Sequence, residues 1–137
     1  RVAASRAEIA RARRAGLAAV WMPTRMVLAD SGIAASWDIT SDSLAAWLAG
    51  KLKADRLVLV KSVALLGGNV SAAVLARRGI VDPAFPGYLA RSGAEGWCID
   101  DAGHGEMAAA LKGARGPGTQ IVAKQPVPVD CRSSPAC

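Results

Sequence analysis

The chain has 137 residues, 52% of them apolar and 20% charged, with a net charge of +6. That length suits one domain with a real core, and the composition is that of a globular chain rather than a disordered one. No apolar run approaches the roughly 18 residues that span a bilayer, no signal-peptide pattern is present, and Cys98, Cys131 and Cys137 lack the spacing of a disulfide framework. A cytoplasmic protein without a membrane partner is therefore expected. His104 is the only histidine, which argues against a zinc centre. The chain begins on Arg1 rather than Met, as a fragment, a processed piece or one half of something larger would.

In chain order, Arg1 to Ala15 reads as a helix, with Val2, Ile9 and several alanines interleaved with arginine and Gly16 as the stop. Its arginines (Arg1, Arg6, Arg11, Arg13 and Arg14, against Glu8) read as a solvated face. Neither a basic-aromatic sheet face nor a recognition helix accompanies them, so a nucleic-acid partner is not expected. Leu17 to Met22, ended by Pro23, reads as a short strand, and Thr24 to Leu28 as a helical turn capped by Thr24. Ser43 to Ala54 is a helix with Leu44, Leu48 and Leu52 at i, i+4 and i+8. Leu57 to Val60 is apolar without alternation, the mark of a strand covered on both faces.

Ala64 to Asn69 holds Gly67-Gly68 and reads as a loop, Val70 to Arg78 as a helix, and Ala84 to Arg91 as a short helix with Pro86 in its first turn. Gly96 to Ile99 is a buried strand containing Cys98, Glu106 to Leu111 a helix, and Thr119 to Ala123 a last strand. Arg1 to Lys124 thus forms one domain, and Gln125 to Cys137, with three prolines, a tail expected to be disordered. Helices alternating with short unalternating strands predict an α/β fold, with helices on both faces of a mainly parallel sheet.

The chemistry concentrates between Trp37 and Ser62. Asp38, Thr40, Ser41, Asp42 and Ser43 are five polar side chains in six positions, where one helix cap needs one. Hydroxyls and backbone N–H groups at a helix start suit an anion, while a carboxylate there can orient a lysine or magnesium. Capping and ligand binding both fit this cluster. Lys61 and Ser62 follow a buried strand, where open α/β sheets bind ligands. Gly67-Gly68-Asn69 matches no phosphate-loop pattern. Asp100, Asp101 and His104 offer a carboxylate–imidazole pair in a loop that reads more simply as solvated.

The run WDITSDSLAAWLAGKLKADRLVLVKS resembles the middle of the amino acid kinase superfamily, and Gly118-Thr119-Gln120-Ile121 is similar to the element with which many of those domains end. Ser36-Trp37-Asp38, Thr40 to Ser43, Leu59 to Val63 and Ile80 to Pro86 are more narrowly similar to the aspartokinase-like proteins of methanogens and methylotrophic bacteria that build one-carbon carrier cofactors. The resemblance covers about Ala18 to Ala123. It implies a three-layer αβα sandwich and an ATP- and Mg2+-dependent kinase, its acceptor a small phosphate or carboxylate, such as an aminomethylfuran methyl phosphate. It also implies a homo-oligomer, and a phosphate-gripping strand, glycine-rich loop and lysine lying upstream of Arg1. Asp42 would organise phosphoryl transfer, with Thr40, Ser41 and Asp82 on the substrate side and Lys61, Ser62 and Val63 on the nucleotide side. No protein-held metal is implied. Lys61-Ser62 departs from the Thr-Asp that many members carry there. A non-catalytic ligand-binding or assembly domain on the same scaffold is the alternative.

Overall fold

The computed structural model describes residues 1–63, 68–100, 105, 107–108 and 118–123. It opens with a strand, β1 (Val2–Ala3), where a continuous helix is expected. The reason is local. Ser5 and Glu8 form a Ser-x-x-Glu start signal: Ser5 Oγ accepts from the Glu8 N–H at 3.3 Å, and the Glu8 carboxylate accepts from the Ala4 N–H at 2.7 Å. The helix α1 therefore runs only over Arg6–Arg14.

Strand β2 (Val20–Trp21) pairs in parallel with β1, and α2 (Thr24–Leu28) follows without a side-chain cap from Thr24. This N-terminal unit is pinned to α3 (Ser41–Leu52) by stacked indoles. Trp21 and Trp47 lie 6.0 Å apart at 27°. The Asp30 carboxylate accepts from Trp47 Nε1 at 3.2 Å and pairs with Lys51 at 3.0 Å.

Beyond α3 come β3 (Arg56–Lys61), β4 (Asn69–Ser71), α4 (Ala72–Arg77), α5 (Phe85–Ser92), β5 (Glu95–Asp100) and β6 (Thr119–Val122). Val70 belongs to a strand rather than to the start of a helix, because its backbone joins the ladder opposite Ile121. The strands line up as β3-β5-β6-β4, with β3/β5 and β4/β6 parallel and β5/β6 antiparallel. The fold is thus mixed α/β with a mainly parallel sheet. The expected helix over Glu106 to Leu111 and the tail after Lys124 fall largely or wholly outside the described residues.

The core joins Leu59, Cys98 and Ile121 of the sheet to Ala46, Ala72, Leu75, Val81, Phe85, Tyr88 and Leu89. Fully burying a side chain such as that of Phe85 stabilises by about 1.5–3 kcal/mol. On α3 the buried stripe is Asp42, Ser43, Ala46 and Ala49, and Leu44 and Leu48 are only half-buried. Small residues win this face because α5 lies so close: a Cβ on Gly50 would sit 3.0 Å from the Ser92 Cα. Along β3 and β5 the register Leu59↔Cys98 and Lys61↔Asp100 puts all four residues on one face. The face that buries Leu59 therefore also carries Lys61 toward α3.

Candidate functional site

The first turn of α3 meets the end of β3 and the loop before α5. Thr40 is the N-cap residue by backbone conformation, yet its side chain makes no cap bond. Asp82, distant in sequence, takes that role. One of its carboxylate oxygens accepts from the Thr40 N–H at 3.1 Å, the Thr40 hydroxyl at 3.1 Å and the Ser43 N–H at 2.9 Å. The other accepts from the Ser43 hydroxyl. A single carboxylate thus serves the N-cap and N3 amides, the pair that a local capping box divides between two side chains. The loop is held in turn: the Ala84 N–H donates to the Asp38 carbonyl at 3.0 Å and the Phe85 N–H to the Asp82 carbonyl at 3.1 Å.

Burial pushes the Asp82 carboxyl up, but the four donors from Ser43 and Thr40 outweigh it and hold the group below the usual aspartate range. The anion is favoured further by the positive end of α3.

Asp42, one position before Ser43, turns the other way. Both of its carboxylate oxygens lie 2.8 Å from Lys61 Nζ, and one also accepts from the Asp82 N–H at 3.3 Å. The Lys61 side chain is 20% exposed. Its ammonium has three donors, so one N–H remains beyond the two given to Asp42. Behind the pair lies Cys98, whose thiol is pushed up by burial, with Lys61 opposing that effect.

The structure therefore brings together Asp42, Thr40, Asp82 and Lys61 of the expected site residues. It leaves Ser41, Ser62 and Val63 exposed, and no described hydrogen bond joins their side chains to this network. Ser43, part of the polar cluster but given no role of its own by the resemblance, joins them through its N–H and hydroxyl. Its position three residues after Thr40, where a capping residue partners its helix start, is the signal for it. Asp100 ends β5 in register with Lys61, while Asp101, His104 and most of the Gly67-Gly68 loop lie outside the described residues.

The donor set does not fit a magnesium ion held by the protein. The Asp82 oxygens are taken by four donors and Asp42 by Lys61, and no group of three or more metal-ligating side chains occurs among the described residues. Of the described helices, none is long and apolar enough to cross a membrane. No protein-family model and no curated protein matches this chain.

Proposed function

We propose that this chain contributes to an ATP-dependent small-molecule kinase of amino acid kinase type, its acceptor a phosphate or a carboxylate. The observation that carries the reading is the Asp42–Lys61 pair, an oriented cation at the carboxyl end of a parallel strand and beside a helix start. Such rims are where α/β sheets bind phosphorylated ligands. In this reading Lys61 uses its remaining N–H to offset charge on the transferring group, and Asp42 keeps the ammonium fixed. Catalysis is then positioning and charge neutralisation in an in-line transfer, and a phosphate acceptor needs no general base. In the same reading the exposed Ser62 and Val63 would face the nucleotide, and Ser41 with the half-buried Thr40 the acceptor. Any magnesium would arrive on the nucleotide.

The same reading extends to a three-layer αβα arrangement, to a homo-oligomer and to the cytoplasm. An aminomethylfuran methyl phosphate is the acceptor it favours.

A specific observation favours a second reading, a non-catalytic ligand-binding or assembly domain. Asp82 occupies the α3 N-terminus, the place where an anionic substrate would otherwise be received. The test is ATP turnover by the full-length protein, offered the furan phosphate, UMP and acetylglutamate in turn. Phosphorylation of one acceptor, dependent on Lys61, supports the kinase. Folded protein that phosphorylates none of them and binds no ATP overturns it.

A further inference from the structure

The arginine-rich first helix borders a cavity for which the kinase reading has no use. Arg6, Ile9, Ala10 and Arg13 fall at i, i+3, i+4 and i+7, one face of α1. That face does not close onto α3. A cavity of about 610 Å³ separates them, bordered by Arg6, Arg13 and Arg14 with Ile9 on one side, and by Leu52 and Ala54 on the other. Its size is within the range of small-molecule sites. Arg13 and Ala54 also border an adjoining depression of about 730 Å³ that reaches Arg56 at the start of β3, where Asp55 and Glu95 balance the two arginines in charge. Lys61 ends the same strand, roughly 16 Å from Arg56 along it.

The charges of the first cavity are unbalanced, for no acidic side chain lines it among the described residues. Lys51, Arg56 and Lys61 each have a carboxylate partner. Among the described residues Arg6, Arg13 and Arg14 have none. The helix's one acid, Glu8, is turned to the Ala4 N–H and Ser5 at its start. Three guanidiniums around one cavity exceed what a single carboxylate would balance. A phosphate monoester brings up to two negative charges and several acceptor oxygens, which match the forked N–H groups of arginine. Ile9 and Leu52 supply an apolar wall that a bare anion would not use.

We propose that this cavity binds a phosphate monoester carried on an apolar body, as a free phosphorylated amphiphile or as a lipid headgroup. Nucleic acid fits less well, because the cations line a concavity with an apolar wall and no base-stacking aromatic.

The test is titration calorimetry of the full chain with monododecyl phosphate, below its micelle-forming concentration. Binding should be at least about tenfold tighter than for inorganic phosphate or dodecyl maltoside, and the Arg13→Gln/Arg14→Gln double variant should lose at least about tenfold. The single variant Arg6→Gln, with circular dichroism as a check of folding, guards against a misfolded double variant. Cosedimentation with phosphatidylcholine vesicles, with and without phosphatidic acid, separates the two sources: a lipid headgroup brings the chain down only with phosphatidic acid present. The proposal is overturned if neither probe binds, if dodecyl maltoside binds equally well, or if folded Arg6→Gln and the double variant both bind like wild type. It is also overturned if a short single-stranded oligonucleotide displaces the amphiphile at lower concentration through the same arginines.

Discussion

Lys61 Nζ lies 2.8 Å from each carboxylate oxygen of Asp42, tying the end of β3 to the first turn of α3 across nineteen residues of chain. The Asp42→Asn variant keeps the shape and removes the charge. If the pair orients a cation for phosphoryl transfer, turnover of the full-length protein falls at least about a hundredfold. Stability falls by about 1–2 kcal/mol, because the Lys61 ammonium loses a charged acceptor. Steady-state ATP turnover and urea unfolding, measured on the same preparations, check both effects. Near-wild-type turnover with only the stability loss would assign the pair to structure.

Asp82→Asn should cost more stability than Asp42→Asn, about 2–3 kcal/mol. An amide has one acceptor oxygen where four donors converge, and its NH2 group would face the hydroxyl or amide hydrogens of Ser43 and Thr40. Urea midpoints for the two variants give the comparison; a smaller loss for Asp82→Asn would contradict the distant-cap assignment.

The same carboxylate predicts a pH dependence. Burial raises its pKa, the Ser43 and Thr40 donors lower it by more, and the folded-state value lies below the ordinary aspartate range. A depressed folded pKa means stability that is fully present above the unfolded value, about 3.9, and is lost as pH falls through the folded one. The stability gap between wild type and Asp82→Asn should therefore hold at neutral pH and shrink only in acid. Urea midpoints measured from pH 7 down to about pH 3 test this; a gap that stays constant throughout would refute it.

Gly118 precedes β6 with φ +75°, and a Cβ there would lie 2.3 Å from the Cys98 carbonyl oxygen. Gly118→Ala combines left-handed strain with a backbone clash, so it should destabilise by about 3 kcal/mol or more. Thermal unfolding of the variant reports it. A loss near zero would mean that the backbone moves apart freely at this crossing.

Lys53 closes α3 in the left-handed conformation, φ 51°, as the one non-glycine among the described residues to do so. Lys53→Gly should stabilise by up to about 1 kcal/mol, because glycine adopts that conformation without a Cβ penalty, less the entropy that glycine adds to the unfolded chain. The readout is a shift of the urea midpoint to higher concentration with an unchanged slope.

Much of the fold is legible in the residues themselves. The apolar run Leu57–Val60 lies within β3, and Gly96 to Ile99 within β5, but the expected cover on both faces fails for β3, an edge strand on which Leu59 is buried and Val60 is 54% exposed. The helix before β3 begins at Ser41, within the polar cluster. The start of α1 was legible only in principle: Ser5-x-x-Glu8 marks it, but the periodic arginines and alanines read as one helix from Arg1 and hide the mark. Val70 was not, since its strand exists only because β6 is there to pair with it.

The polar cluster before α3 divides in a way that spacing alone leaves open. Sequence by itself determined that Thr40 to Ser43 would open a helix and that Lys61 would end an apolar strand, because caps and apolar runs act over a few residues. Which carboxylate does which task was decided only by the tertiary structure. Asp82 arrives from the loop before α5 to cap the helix, and that leaves Asp42 free to hold Lys61. A hydrogen bond between residues thirty-nine apart has no local signature, and it forms because the packing of α3 against α5 brings that loop to the helix start.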